Sequence, residues 1–497
     1  MAAKKSKTSR YTEVERKFEV VDTTGSPSFE GLSAVTRVER LPVEQLDAVY
    51  FDTPGRDLAA RRITLRRRTG GTDAGWHLKL PAGPDSRTEV RAPLEGNDDV
   101  PAELRDVVLA IVRDRPLSPV ATISTQRTID LLYGADDDPV AEFCDDRVTA
   151  SAEDGDEKRW REWELELTEH ASDTPELLDR LANRLIDAGA GPAGHGSKLA
   201  RVLDTGEEVT EVATRKTDPV HQAVAEQVDE LVAWDRAVRE DVWDSVHQMR
   251  VTTRKIRSLL QSSEGAFGIS DDAWVLEELR QLAAVLGVAR DAEVLAEKYE
   301  KALESLAPEL VRGPVRERLV EGAKRRYDAG LRRSLIAMRS QRYFRLLDAL
   351  DGLVAADPSA GGSGAAPEPV TIDHSYKRIR KAAAKADEAT GHEHDEALHK
   401  IRKRAKQLRY TAAATGAAKV SDKAKAIQSL LGDHQDSVVS RTHLQEQATA
   451  AHAAGEDTFT YGVLYRIEDE VAQSAAEQLD DALDDLHKSV RKAKKGK

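Results

Sequence analysis

Between Tyr11 and Leu167 much of the chain is written in steps of two. In Tyr11-Thr12-Glu13-Val14-Glu15-Arg16-Lys17-Phe18, alternation puts Glu13, Glu15 and Lys17 on one face of any strand that contains them, because strand side chains point to opposite faces in turn. The same period joins Arg66 to Arg68 in Ile63-Thr64-Leu65-Arg66-Arg67-Arg68, His77 to Lys79 in Trp76-His77-Leu78-Lys79-Leu80, and Arg87, Glu89 and Arg91 in the segment that follows. Farther on it aligns Glu142 with Asp146, and Glu162 with Glu164 and Glu166. The pattern predicts strands that each carry one charged face. After Gly206 the character changes. From about Asp218 the chain is rich in Ala, Leu, Glu and Arg at helical spacing, and strand signals nearly vanish.

A solvated face explains any one of these strands. Taken together, strands whose polar faces carry both carboxylates and guanidinium groups suit a barrel with a charged lumen. Paired carboxylates on a rigid strand offer the oxygen ligands that a hard divalent cation such as Mg2+ or Mn2+ prefers, and amines beside them can hold the anion that the metal attracts. Metal with polyphosphate is the chemistry this pattern predicts.

The helical region contains a repeat. Val246-His247-Gln248-Met249-Arg250 through Arg257 and Leu398-His399-Lys400-Ile401-Arg402 through Arg409 both read H-x-x-R-x-x-x-[R/K]-x-x-R. At about 100° per residue these offsets fall within roughly 80° of one another, so each helix carries one histidine and three cations along a stripe. The stripes are His247, Arg250, Arg254 and Arg257, and His399, Arg402, Lys406 and Arg409. Stacked like charges repel, and an acidic helix, solvent or a bound anion must neutralise them. Each copy is followed by Leu-Gly-x-x-x-Asp, at Leu286–Asp291 and Leu431–Asp436, and residues 357–369 between the copies have linker composition. Gly391-His392-Glu393-His394-Asp395 reads as a loop and the basic run Lys488–Lys497 as a disordered tail.

At 497 residues the chain predicts two or three domains. Hydrophobic residues at 40% suffice for packed cores, and 33% charged residues is a high share, as polyanion and metal chemistry requires. A net charge of −14 argues against nucleic-acid binding by the whole surface, so no specific nucleic acid is expected. Cys144 is the single cysteine, which excludes an intramolecular disulfide and fits a reducing cytoplasm. Neither a secretory leader nor an apolar stretch able to span a bilayer is read, so no membrane partner is expected. Gly191-Pro192-Ala193-Gly194-His195-Gly196-Ser197-Lys198 superficially resembles a P-loop but lacks its Gly-Lys-Ser/Thr order.

Over roughly residues 10–205 the order Glu13-x-Glu15-x-Lys17, Tyr50-Phe51-Asp52-Thr53-Pro54, Leu65–Arg68, Leu78-Lys79-Leu80-Pro81, Arg87-Thr88-Glu89, Asp145–Val148, Glu162–Glu166 and Ser197-Lys198 resembles the CYTH superfamily of triphosphate tunnel metalloenzymes. Over roughly residues 215–490 the duplicated stripe resembles the CHAD family, the conserved-histidine α-helical domain. The resemblances imply an α+β multidomain protein: an N-terminal eight-stranded antiparallel β-tunnel at 8–208, and a C-terminal all-α pair of pseudo-symmetric four-helix bundles at 215–490. The halves of the latter would be about 215–356 and 370–490.

They further imply metal-dependent hydrolysis of inorganic triphosphate in the tunnel and binding of inorganic polyphosphate by the helices. Carried over by motif, Glu13, Glu15, Lys17 and Glu164 would be catalytic, and Glu13, Glu15, Asp146, Glu162, Glu164 and Glu166 would hold Mg2+ or Mn2+. Lys17, Arg66, Arg68, Lys79, Arg87, Arg127 and Lys198 would bind the substrate, while the eight stripe residues would bind polyphosphate. Asp146 rather than Asp145 faces inward by parity with Glu142. For the histidines, a phosphate-proximal or structural role is favoured over metal. Location in the cytoplasm, at polyphosphate granules, and an oligomer are compatible with this reading. Two alternatives stand beside it: a non-catalytic polyphosphate receptor, and an enzyme acting on a nucleotide or thiamine triphosphate as triphosphatase or cyclase.

Overall fold

The computed structural model describes residues 8–204, 219–262, 272–356, 372–390, 392–414 and 416–495, apart from 95, 97, 154 and 173. The boundaries read at 208 and 215 and the linker at 357–369 lie outside these residues. The chain forms two compact units, residues 1–283 with 335–361, and residues 284–334 with 362–497.

In the first unit, long alternating segments become the strands of a closed barrel. They are β1 (Ser9–Val20), β3 (Glu44–Asp52), β4 (Thr64–Thr69), β5 (Gly75–Pro81), β6 (Ser86–Ala92), β7 (Ser118–Tyr133), β8 (Pro139–Ala152) and β9 (Lys158–Leu167). Around the ring the order is β1-β6-β5-β4-β3-β7-β8-β9, and β9 pairs back onto β1. Every pairing is antiparallel. Short β2 (Arg37–Arg40) flanks β7, and β10 (Gly191–Pro192) flanks β1. The eight-stranded antiparallel barrel expected from the alternation is therefore present. β1 closes it by pairing through Val14 with β6 and onward from Val14 with β9.

Two devices cover the barrel. Outside, α3 (Pro175–Asp187) lays Leu177, Leu178, Leu181 and Leu185 on Phe18, Phe143, Trp163 and Leu165, the outward residues of β1, β8 and β9. Each such side chain contributes about 1.5–3 kcal/mol of burial. Inside, Leu199, Val202 and Leu203 at the short helix α4 (Lys198–Val202) pack against Ala48, Tyr50, Ala121, Ile123, Val148 and Ala150, filling part of the barrel with apolar side chains. An insertion, α1 (Ala102–Val107) and α2 (Leu109–Val112), buries Leu104, Leu109, Ile111 and Val112.

The helices of the first unit are α5 (Pro219–Arg239), α6 (Ser245–Ser262), the start of α7 (Asp272–Ser305) and α9 (Gln341–Ala355), which follows α8 (Gly322–Ala337). The barrel's insertion reaches them through charge: the buried Arg113 guanidinium binds Asp348 and Asp351 of α9, and Arg239 of α5 binds Asp106 at 3.2 Å. In the second unit α10 (Ile372–Glu388), α11 (His392–Ala414), α12 (Ala418–Ala453) and α13 (Phe459–Lys495) share a core that includes Ile379, Ile401, Leu408, Ile427, Leu431 and Leu486. Gly330 of α8 allows close approach to α7, since a Cβ there would stand 2.8 Å from the Ala289 backbone.

Two sequence expectations fail in this region. His392 and His394 lie in the first turn of α11 rather than a loop, and His394 Nδ1 meets the Ala386 carbonyl at 3.0 Å, tying α11 to the end of α10. The basic run from Lys488 continues α13 as far as Lys495, because Val490 is buried in the core and Lys494 pairs with Asp373.

Candidate functional site

Strand register builds the site. Across β8, β9 and β1, Glu142 lies opposite Glu166 and Glu166 opposite Glu15, while Glu164 lies opposite Lys17 and Asp146 opposite Glu162. Arg127 of β7 sits opposite Asp146, and Glu13 opposite Arg87 of β6. The parity argument selects the correct aspartate: Asp146 is fully buried among lumen groups, whereas Asp145 pairs with Arg161 at 2.7 Å on the other face.

The lumen holds a cavity of about 270 Å³ lined by Glu13, Glu15, Lys17, Arg66, Arg68, Lys79, Arg87, Arg127, Glu164, Glu166 and Lys198 among others. Asp146 and Glu162 complete the predicted barrel set through Lys198, which contacts them at 2.8 and 2.7 Å. The structure thus brings together every residue that the barrel motifs assign to metal or to substrate. It adds Tyr50, whose hydroxyl accepts from Arg66 at 3.3 Å, and Arg91 and Glu142, which also line the cavity. Beside it lies Glu89, wholly buried, which meets His77 Nδ1 at 2.8 Å, Lys79 at 3.9 Å and Arg91. The Arg87-Glu89-Arg91 alternation was the signal for Glu89 and Arg91; nothing in the pattern marked Tyr50 as a lumen residue.

Opposite charges are interleaved here. Lys17 binds Glu15 at 2.8 Å and Glu164 at 2.5 Å, Lys79 binds Glu13 at 2.5 Å, and Arg127 binds Asp146 at 2.6 Å and Glu164 at 2.5 Å. Burial would raise the Glu15 carboxyl, yet Lys17 and Lys79 hold it down at about 2. Burial acts the same way on Asp146 and Glu164, and is overcome by Arg127 and Lys198 at both, with Lys17 the strongest of the opposing charges at Glu164. Two groups are shifted toward their neutral forms by burial and by neighbours of like charge. Burial, then Glu13, pushes Glu166 up to about 8 against Lys79, and burial, then Arg66 and Arg127, lowers Arg68 to about 9. Burial also takes His77 down to about 4 despite Glu89, although both ring nitrogens face acceptors, Nδ1 the Glu89 carboxylate and Nε2 the Asp73 carbonyl at 2.9 Å.

The donor set fits a hard divalent cation. Carboxylate oxygens of Asp146, Glu162 and Glu164, all buried, lie within 4.8 Å of one another. They supply the all-oxygen environment that Mg2+ and Mn2+ favour, and Glu13, Glu15 and Glu166 stand on neighbouring rows.

The two stripes differ from the lumen. On α6, His247, Arg250 and Arg257 are half-buried and Arg254 is exposed. On α11, His399 is exposed while Arg402, Lys406 and Arg409 are half-buried. The duplicated Leu-Gly-x-x-x-Asp acquires a reason in the second copy. A Cβ on Gly432 would stand 3.2 Å from the Arg402 guanidinium, so glycine leaves room for that arginine, and Asp436 one turn on feels its charge. Arg409 donates to Gln428 at 3.2 Å and lies over the Tyr410 ring.

Among the described residues no helix is long and apolar enough to cross a membrane. The chain is 64% identical over 505 residues, 98% of each chain, to the "Uncharacterized protein Rv2226" of Mycobacterium tuberculosis (strain ATCC 25618 / H37Rv). Among solved structures it is similar to PptA from Streptomyces chartreusis, with a TM-score of 0.41 and 19% identity over 53% of this chain and 97% of that one. It is also similar to the CHAD domain from the plant Ricinus communis, with a TM-score of 0.37 and 22% identity over 53% of this chain and 89% of that one. Both scores are low, and the assignment rests on the domain matches and the mycobacterial relative. Residues 11–185 match the CYTH domain and residues 222–445 the CHAD domain, so the chain belongs to the CYTH and CHAD families.

Proposed function

We propose that the barrel hydrolyses inorganic triphosphate with Mg2+ or Mn2+ and that the helical region, over about 215–490, binds inorganic polyphosphate. The observation that carries the first half is the division of a single cavity between carboxylates and cations, with burial and like charge raising Glu166 and lowering Arg68. A receptor for the anion alone gains nothing from so many carboxylates. Bound at the carboxylates, the divalent ion would lower the pKa of a water and neutralise phosphate oxygens. Arg66, Arg68, Lys17, Lys79 and Arg87 would hold the equatorial oxygens and the pyrophosphate leaving group, making catalysis largely positioning and electrostatics. Water adds to the terminal phosphorus, the bridging P–O bond breaks, and phosphate and pyrophosphate result. Burial of Asp146, Glu164 and Lys198 fixes their places without competition from bulk water.

For the second half, rows of half-exposed Arg and Lys on rigid helices suit a polyanion of regular charge spacing. The test is phosphate release by the full chain from tripolyphosphate, ATP and thiamine triphosphate, with Mn2+ and with a chelator. Metal-dependent release fastest from tripolyphosphate is expected. Metal-dependent binding without turnover would favour the receptor reading, and faster turnover of ATP or thiamine triphosphate would replace the substrate.

A further inference from the structure

Lys198 enters the lumen from the first turn of α4. Its segment is anchored on both sides: Ser197 Oγ accepts from Ala200 N at 3.0 Å, and Arg87 donates to the Gly196 carbonyl at 2.8 Å. An ammonium has three N–H donors and no acceptor. Asp146 Oδ2, Glu162 Oε1 and Glu164 Oε1 stand at 2.8, 2.7 and 2.8 Å from Nζ. These are the same three carboxylates whose oxygens converge as a cation cage. In this arrangement the amine is hydrogen-bonded to Glu164 and ion-paired with Asp146 and Glu162, and its charge sits where a divalent ion would need to be.

We infer that Lys198 is a placeholder cation that couples the metal and anion sites. This rests on the metal-and-triphosphate reading above and gives Lys198 a second role within it. Without metal, the ammonium neutralises the cage, which three buried carboxylates require. Lys198 leaves the cage when a divalent ion takes it, and its three donors then become available to the triphosphate. Arg127 and Lys17 share Glu164 with it, so the exchange loosens their contacts as well.

Two consequences follow from linkage. The metal competes with an internal cation, so its apparent affinity is reduced by the fraction of molecules in which the cage is filled. A triphosphate that draws the amine out of the cage relieves that competition, and by reciprocity the metal tightens the triphosphate by the same factor. A lysine fixed in the cage for structure alone would leave the two affinities independent of this residue.

The experiment titrates Mn2+ calorimetrically into the full chain without phosphate, comparing wild type with Lys198→Met, which keeps the stem and removes the charge. Lys198→Gln is the second neutral variant if the first does not fold, and Lys198→Arg keeps the charge. Either neutral variant should bind Mn2+ at least about tenfold more tightly than wild type, while Lys198→Arg should not. The metal-free neutral variant should unfold at a lower temperature, and Mn2+ should restore it. Neutral variants that bind Mn2+ no more tightly than wild type, or not at all, overturn the inference. A wild type that hydrolyses tripolyphosphate while its neutral variants gain nothing sinks the placeholder alone. Tightened Mn2+ binding in a protein whose wild type releases no phosphate sinks the hydrolase reading alone.

Discussion

The barrel lumen and the helical stripes both concentrate Arg and Lys, and they do so on opposite terms. In the lumen the cations are interleaved with buried carboxylates: Lys17, Lys79, Arg127 and Lys198 each touch at least one acid of the predicted metal set. On α6 and α11 the cations recur at helical spacing, half-buried or exposed, with Gly432 packed against Arg402 and Asp436 near enough to feel its charge. A strand face with both signs can neutralise itself and reopen for a compact ligand that brings its own cation. A stripe of one sign sets cations at regular spacing along a helix, which suits a long anion. Residue type is shared between the two regions; what separates them is register and exposure.

The largest expected effect breaks the lumen side. Glu15→Gln and Arg66→Ala should each reduce tripolyphosphate hydrolysis on the order of a hundredfold to a thousandfold with the circular dichroism spectrum preserved, because each removes a charge aimed into a water-poor site. Neither should change polyphosphate binding by the helices. Near wild-type turnover in both variants would remove the lumen as the reaction site.

A smaller effect is expected on the helical side, where many cations share the load. Arg250→Ala with Arg254→Ala, and separately Arg402→Ala with Arg409→Ala, should each weaken binding of long-chain polyphosphate roughly tenfold or more and flatten its decline with salt, since fewer counterions are exchanged. Tripolyphosphate turnover should be unaffected. Unchanged affinity in both double variants would place the polyphosphate site elsewhere, and equal affinity for DNA would make the stripes generic polyanion binders.

Legibility followed the same division. Period-two alternation separated Asp146 from Asp145 and put Glu162, Glu164 and Glu166 on one face, because strand parity is a local property. The partners across strands were not local. Glu89 becomes a lumen-wall acid only when β5 and β6 register it opposite Lys79, and Tyr50 only when β4 places it opposite Arg66. On the helices, spacing revealed the stripes but not what packs against them. The room Gly432 leaves for Arg402 depends on how α11 meets α12, and the continuation of α13 through a basic run depends on buried Val490. Among the ion pairs that tie the barrel to the helices of the same compact unit are those of Arg113, which no motif marked.

The smallest effect probes how far the lumen neutralises itself before any ligand arrives. Glu166 is the acid left over: burial, with Glu13 and Glu15 adding to it and Lys79 opposing, raises it from an ordinary 4.5 to about 8. Because the folded value lies above the unfolded one, the native chain holds a proton there that the unfolded chain releases. The stability this contributes is complete below pH of about 4.5 and is lost as pH climbs through about 8. In a chelator, Glu166→Gln, which stays uncharged, should therefore match wild type in thermal unfolding near pH 5 and exceed it near pH 8, by on the order of a few degrees for a unit of this size. Mn2+ should erase the difference at pH 8 by supplying the missing positive charge. Identical unfolding temperatures across this range would mean that the lumen's own lysines already balance its acids, leaving the carboxylates no residual demand for a metal.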